Sequence, residues 1–262
     1  MEYILVTGAN GGMGKATTLA LKNRGYGVIA LDREEVKIDG VHSFAVDLTR
    51  EEEIVKTCEK IKGITDKLYG IIHFAGIYML DSLVEMSTED FDKIFKVNVY
   101  SAYMVNKTFL PMLKRGSRII MTTSELAPLN PLPFTGIYAV TKSALDKYAH
   151  SLRMELQLLG ISVSVLRAGA VSTGMLNVST TALDKFCGNT KLYKCNADRF
   201  KKIVNSVEAK SISPEKLASK VLSILEADSP KMVYSINRNI WLRLLNILPT
   251  KWQFAIIKKI LK

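Results

Sequence analysis

Tyr138 and Lys142 stand four positions apart. On a helix that spacing puts both side chains on one face. An ammonium beside a phenol favours the phenolate, so the tyrosine pKa is expected to fall from about 10 toward neutrality. A phenol tuned in that way can protonate a ketone oxygen or take a proton from an alcohol. The pair alone is unspecific, because Tyr-x-x-x-Lys also occurs as a solvated pair on ordinary helices. The start of the chain adds the specificity. An apolar run, Tyr3 to Thr7, leads into Gly8-Ala9-Asn10-Gly11-Gly12-Met13-Gly14, and a helical pattern follows as far as Arg24, stopped by Gly25. Strand, glycine-rich turn and helix make a phosphate cradle: the glycines admit the ligand close to the backbone, and the helix start offers free N–H groups and the positive dipole end.

These groups need elements to hold them. A second strand, Gly27 to Leu31, ends at Asp32, where a carboxylate can bond the ribose hydroxyls of a dinucleotide and repel a 2′-phosphate. That favours NAD over NADP. The adjacent Arg33 argues the other way, since a guanidinium can pair with a phosphate. A third strand, Ser43 to Val46, closes on Asp47-Leu48. Thr49 is expected to cap the next helix, with Glu51, Glu52 and Glu53 in its first turn. A fourth strand, Leu68 to Phe74, runs into Ala75-Gly76. A helix opens at Ser87, and a long helical stretch is expected from about Val97 to Lys114. It carries Asn98, a residue that is unfavourable inside a buried helix unless paired. A fifth strand, Arg118 to Thr122, leads to Ser124. The prolines at 128, 131 and 133 mark a loop, and the helix bearing Tyr138 and Lys142 then extends to about Leu159 before Gly160. A sixth strand, Ile161 to Leu166, precedes a turn with Val171 and Thr173.

Strand and helix alternate without repeats or linkers. The expected fold is α/β: one doubly wound parallel sheet of about seven strands, helices on both faces, in a single domain over 1–262. Ligands in such sheets bind at the carboxyl ends of the strands. The glycine loop, Asp32, Asp47, Gly76, Ser124 and Thr173 all fall there.

Composition narrows the classes further. The chain has 262 residues, 48% of them hydrophobic. No run reaches the ~18 apolar residues of a membrane span, and the first strand begins without a basic leader, so a cytoplasmic protein is expected. Cys58, Cys187 and Cys195 read as free thiols, and no metal site is expected. The net charge of +11 could mark nucleic acid or an anionic surface. No zinc-finger spacing, basic helix or aromatic RNA-binding motif accompanies it, so no nucleic-acid partner is expected.

Taken together, Thr7-Gly8-x-x-x-Gly12-x-Gly14, Asp47-Leu48, Ala75-Gly76, Asn98, Ser124, Tyr138-x-x-x-Lys142 and Gly169-x-Val171-x-Thr173 resemble the classical short-chain dehydrogenase/reductase family. The resemblance implies a Rossmann-type fold and an NAD(P)-dependent oxidoreductase acting on CH–OH groups. It makes Tyr138 the acid/base, with Lys142 lowering its pKa and bonding the nicotinamide ribose. Ser124 would bond the substrate oxygen, and Asn98 would hold a water in a proton relay. Gly8, Asn10, Gly12, Met13, Gly14, Asp32, Arg33, Asp47, Leu48, Ala75, Gly76, Val171 and Thr173 would line the cofactor, taken as NAD with NADP the alternative. A homodimer or homotetramer is implied, formed through the two long helices near 98–115 and 137–159. The chain departs from the family at His73-Phe74, where two asparagines are usual, and at Ala168, where proline is usual. His73 reads as structural.

Beyond Thr173 the resemblance is looser. A substrate lid is expected over about 175–210, with Leu176, Leu183, Phe186, Leu192, Tyr193 and Phe200 making it apolar. An amphipathic extension follows over about 238–262, split by Pro249 and rich in Trp, Ile, Leu and Lys. It is expected to cover the substrate cleft or pack on a second subunit, with a membrane surface as the alternative. The run from Pro214 through Pro230-Lys231-x-x-Tyr234 to Leu248-Pro249 is similar to the hydroxysteroid and retinol dehydrogenase branch, and the extension argues against the acyl-carrier-protein reductases. The expected reaction therefore interconverts a hydrophobic secondary alcohol and its ketone, a steroid being the named candidate. A broad NADPH carbonyl reductase and a retinol-type dehydrogenase are the enzyme alternatives. A non-catalytic NAD sensor is disfavoured because both Tyr138 and Lys142 are kept.

Overall fold

Tyr3–Thr7 forms β1. Its side chains alternate between the two faces of the sheet, and both faces are buried. Ile4 and Val6 enter one apolar cluster and Leu5 enters another, as a strand covered by helices on both sides requires. The computed structural model describes residues 1–206 and 211–262, with 175–180, 205 and 206 described by backbone alone.

Helix α1 (Gly12–Asn23) returns the chain to β2 (Gly27–Asp32) and β3 (His42–Ala45). Helix α2 (Glu51–Lys62) crosses to β4 (Leu68–His73), which pairs with the free side of β1. Helix α3 (Thr88–Phe95), a π-helical turn (Lys96–Tyr100) and α4 (Ser101–Phe109) then lead to β5 (Leu113–Ser124). Next come α5 (Gly136–Leu156) and β6 (Ser162–Ala168). Helices α6 (Gly174–Asn189), α7 (Lys194–Ser206) and α8 (Pro214–Leu225) precede the edge strand β7 (Val233–Ile236). The chain closes with α9 (Ile240–Ile247) and α10 (Thr250–Leu261). The seven strands lie in the order β3-β2-β1-β4-β5-β6-β7, every pairing parallel. Strand order therefore reverses between β1 and β4, which opens a crevice at their carboxyl ends.

Two layers of helix cover the sheet. Leu5, Ile71, Ile119 and Val163 pack with Ile54 of α2, Phe109 of α4 and Leu145 of α5. On the opposite face Val28, Ile72 and Leu166 pack with Leu21 of α1 and Leu217 and Val221 of α8.

Two local expectations are corrected. The helix expected to reach Lys114 ends at Phe109, and Leu113 and Lys114 already belong to β5. Pro111, inside the 3₁₀ turn Leu110–Met112, is the physical reason: it has no N–H to continue the helix. Its start also differs, since the helical path begins at Thr88 and reaches Asn98 through the π turn. Thr49 is not the cap of α2. Arg50 holds that position, and Thr49 turns back to give both its N–H and its hydroxyl to Asp47 Oδ1. Part of the stretch expected as a lid, 207–210, lies outside the described residues, as does the side chain of Leu176.

His73 is structural, as expected. It is buried, with Nε2 2.9 Å from Asn106 Oδ1, and Asn106 donates on to the Tyr148 hydroxyl. Phe74 leaves its strand bond to Thr7, whose carbonyl takes the Phe74 N–H and whose hydroxyl takes that of Ala75. Burial lowers the His73 pKa from 6.5 to about 4. A cation with a depressed folded pKa costs nothing at neutral pH, but an increasing penalty appears as pH falls from 6.5 toward 4, because the unfolded chain takes up the proton first. We expect that window to remove about 3 kcal/mol of stability, and His73→Gln to flatten it, as read by urea unfolding across the range.

Candidate active site

The crevice between β1 and β4 is a cleft of about 620 Å³. Gly8, Gly12, Met13 and Gly14 form its floor. Close packing dictates these glycines. Gly8 has φ +66°, and a Cβ there would lie 2.5 Å from Ala75 N; a Cβ at Gly14 would lie 2.1 Å from Gly8 O. No side chain caps α1 and no acid occupies its first turn, so its amino end is free for an anion.

Asp32 and Arg33 stand at one end of the cleft, with Asp47 and Leu48 beside them. Asp32 Oδ2 accepts the Asn10 N–H at 2.8 Å and Oδ1 accepts the Arg33 N–H at 2.7 Å. Asn10 therefore supports Asp32 through its main chain. Bonds from Thr49 and the nearby Arg50 and Arg33 guanidinium charges outweigh the desolvation of Asp47 and hold its carboxyl below the usual range. Ala75, Gly76 and Thr173 line the other end. Val171 does not join them: it is buried among β1 and α8 side chains and its main chain bridges to Ile212.

Tyr138, Ser124, Lys142 and Asn98 come together behind the wall formed by Gly76 and Tyr78. A Cβ added to Gly76 would lie 3.2 Å from Asn98 Oδ1 and 3.3 Å from Lys142 Nζ. The Tyr78 ring packs on Tyr138 at 4.8 Å between centroids, a contact for which the sequence carried no signal. Lys142 Nζ sits 5.8 Å from the Tyr138 ring centre and donates to Thr122 O at 3.3 Å.

The expected fall of the Tyr138 pKa is corrected. Tyr138 is only 9% exposed, and burial pushes its phenol above the ordinary value, with Tyr78 adding to the rise and a bond from Ser124 opposing it. Burial also lowers Lys142 to about 8. Desolvation, not the neighbouring ammonium, dominates in the protein alone. The chain's contribution is a phenol held protonated and a lysine able to exchange protons near neutral pH.

Asn98 is 1% exposed and lies in the π turn, a distortion found often at functional sites. Its Oδ1 accepts the Ile77 N–H at 2.7 Å; its Nδ2 donates to Ile77 O and to the Thr141 hydroxyl, both at 3.0 Å. One amide thus joins the loop after β4, the α3–α4 helix and α5.

Residues 2–184 match the family model for short chain dehydrogenase. The chain belongs to the short-chain dehydrogenases. It is 30% identical to the uncharacterized oxidoreductase YbbO of Escherichia coli K12, over 92% of this chain and 87% of that protein. It is 29% identical to human 17-beta-hydroxysteroid dehydrogenase type 6, over 68% of this chain and 59% of the human one. The crystal structure of a short chain dehydrogenase family protein from Francisella tularensis superposes with a TM-score of 0.74 at 25% identity, covering 90% of this chain and 97% of that one. This short-chain dehydrogenase is accordingly an NAD(P)-dependent oxidoreductase. The glycine floor, the free helix start and the Asp32 carboxylate fit a dinucleotide, with Gly8 to Gly14 for its phosphates and Asp32 for the adenosine ribose.

Replacing Asn98 by Ala removes both bonds to the Ile77 main chain and leaves the Thr141 hydroxyl only its bond to Tyr138 O. We expect a loss of about 2–4 kcal/mol in chemical unfolding, whereas Thr141→Val, which removes one of the three bonds, costs about 1 kcal/mol.

Proposed function

We propose that this short-chain dehydrogenase interconverts a hydrophobic secondary alcohol and its ketone, with a steroid-sized substrate and NAD as the preferred carrier. The carrying observation is the buried group of Tyr138, Ser124, Lys142 and Asn98, set beside an apolar lid. Leu80, Phe134, Leu183, Phe186 and Phe200 form that lid cluster, with Tyr78 packed against it and against Tyr138. Phe134 holds φ +66°, an unfavourable backbone for a bulky residue, and its carbonyl takes the Asp81 N–H. A polar substrate would leave its hydroxyls unpaired against such a surface.

The dinucleotide, when bound, supplies or accepts the hydride. The protein moves the proton. In reduction Tyr138 protonates the ketone oxygen while the Ser124 hydroxyl bonds the same oxygen and offsets its developing charge. Lys142, with its pKa near 8, recharges Tyr138 and bonds the nicotinamide ribose. Asn98 positions the water that links Lys142 to solvent. Gly8, Gly12, Met13 and Gly14 hold the pyrophosphate, Asp47 and Leu48 meet the adenine, and Val171 with Thr173 fixes the carboxamide, Val171 through its main chain. The chain self-associates as a dimer or tetramer through α4 and α5, where Tyr103, Val140 and Met154 are exposed.

Arg33 on the cleft wall favours a second reading, a broad carbonyl reductase using NADPH. Asp32→Ala separates the two. If Asp32 excludes a 2′-phosphate, kcat/KM for NADPH relative to NADH rises by about tenfold or more; an unchanged ratio assigns the preference to Arg33. Tyr138→Phe tests the mechanism. We expect kcat for ketone reduction, assayed on a panel including steroids, to fall about 10²- to 10⁴-fold, with dinucleotide binding retained in a fluorescence titration.

A further inference from the structure

Helices α9 and α10 bury uncharged polar side chains and leave large apolar ones bare. Asn246 Oδ1 accepts the Asn130 N–H at 2.6 Å. Gln253 is 4% exposed, its Oε1 taking the Asn130 amide at 3.1 Å and its Nε2 donating to Leu248 O. The Glu125 carboxylate receives the Asn239 N–H at the start of α9, and Asn196 of α7 donates to Leu261 O at 2.7 Å. Leu242, Leu245, Ile256, Ile257 and Leu261 are half-buried, but the other large apolar side chains face water. Ile240, Trp241, Leu244 and Ile247 lie along one face of α9, Ile247 at 77% exposure. On α10, Trp252 and Ile260 are exposed and Phe254 reaches 70%. The usual arrangement puts the apolar stripe on the core, whereas α9 turns Ile240, Trp241, Leu244 and Ile247 outward, and large bare apolar patches mark interaction sites.

Charge identifies the occupant. From 229 to 262 the chain contains seven Lys or Arg and no Asp or Glu, against a net +11 for all 262 residues. A second copy on this face would set one cationic surface against another. An anionic bilayer is attracted instead, at about 1 kcal/mol per basic residue near the surface. Among the described residues no helix is long and apolar enough to cross a membrane, so the pair would lie on the surface. Both tryptophans of the chain are here, and Trp at the headgroup level is the usual anchor of interfacial helices. We infer that α9 and α10 dock this enzyme on an anionic lipid surface, α9 inserting Trp241, Leu244 and Ile247 between headgroups while α10 brings Trp252 and its exposed lysines to them. A second cleft of about 610 Å³ runs beneath the same helix, bounded by Leu132, Phe134, Tyr193, Phe254, Ile257 and Leu261, so docking sets an apolar cleft beside the bilayer.

The full-length protein is mixed with vesicles of phosphatidylcholine alone, or of phosphatidylcholine and phosphatidylglycerol in equal parts. Co-sedimentation and tryptophan emission are read. We expect pelleting and a blue shift with the anionic vesicles only, reversed by high salt. Trp241→Ser with Ile247→Ser, and separately Lys251→Glu with Lys259→Glu, should each weaken the partition about tenfold or more. All four positions are exposed, and unchanged thermal unfolding confirms that the variants are folded. No pelleting of the wild type on anionic vesicles overturns the inference. So does equal pelleting on both vesicle types, or a concentration-dependent dimer that shields both tryptophans without lipid and is dissolved by the serine variant.

Discussion

A single buried amide holds the site together. Asn98 bonds the Ile77 main chain in both directions and the Thr141 hydroxyl as well. Asn98 and Thr141 are withdrawn from water, so the amide needs partners inside the protein. The π turn makes the meeting possible by inserting an extra residue into the helix between Phe95 and Ser101. With that joint made, Gly76 approaches Lys142 and Asn98 so closely that an added Cβ would crowd both. The wall of the cleft is thereby held against Asn98, Lys142 and Tyr138.

Helix α5 carries a second constraint. Tyr138, Lys142 and Asp146 follow at four-residue intervals on one face. Burial raises the pKa of the first and lowers that of the second. The third is paired: Asp146 takes both arms of the Arg167 guanidinium, at 3.0 and 2.6 Å, and the Thr123 hydroxyl. The ion pair fixes α5 to β6 and to the end of β5, one residue from Ser124. A bidentate bond between planar groups restricts rotation as well as distance. Fixing the lower turn of the helix sets the position of the phenol two turns above it.

The sheet and the residues at its carboxyl edge were legible in the sequence because their signals are local. Gly8 to Gly14 sits between an apolar run and a helical pattern, and Tyr138 and Lys142 differ by one helical turn. The boundary at Phe109 was not, since the helical pattern beyond it looked continuous and Pro111 had to outweigh it. Nor was the raised Tyr138 phenol, because the spacing to Lys142 discloses proximity while desolvation depends on what the rest of the chain places around both. Tyr78 on Tyr138 and the Asp146–Arg167 pair join segments 60 and 21 residues apart, and no periodicity encodes them. The tail was legible as two amphipathic pieces, but not in its orientation. Asn246 and Gln253 decide that, and their partner Asn130 lies more than a hundred residues earlier.

The same long-range bonds set an order of events during synthesis. The loop between Ser124 and Tyr138 is tied by Glu125 to Asn239 and by Asn130 to Asn246 and Gln253. A ribosome adds about 5–20 residues per second, so these partners appear roughly 10 s after the loop itself. During that interval the growing chain already contains the glycine loop, Tyr138 and Lys142, while the loop between them lacks its ties to the tail. These ties are therefore made only after every strand of the sheet has been synthesised. A chain stalled before α9 would carry Asn98, Ser124, Tyr138 and Lys142 and still lack the bonds from the 125–130 loop to α9 and α10.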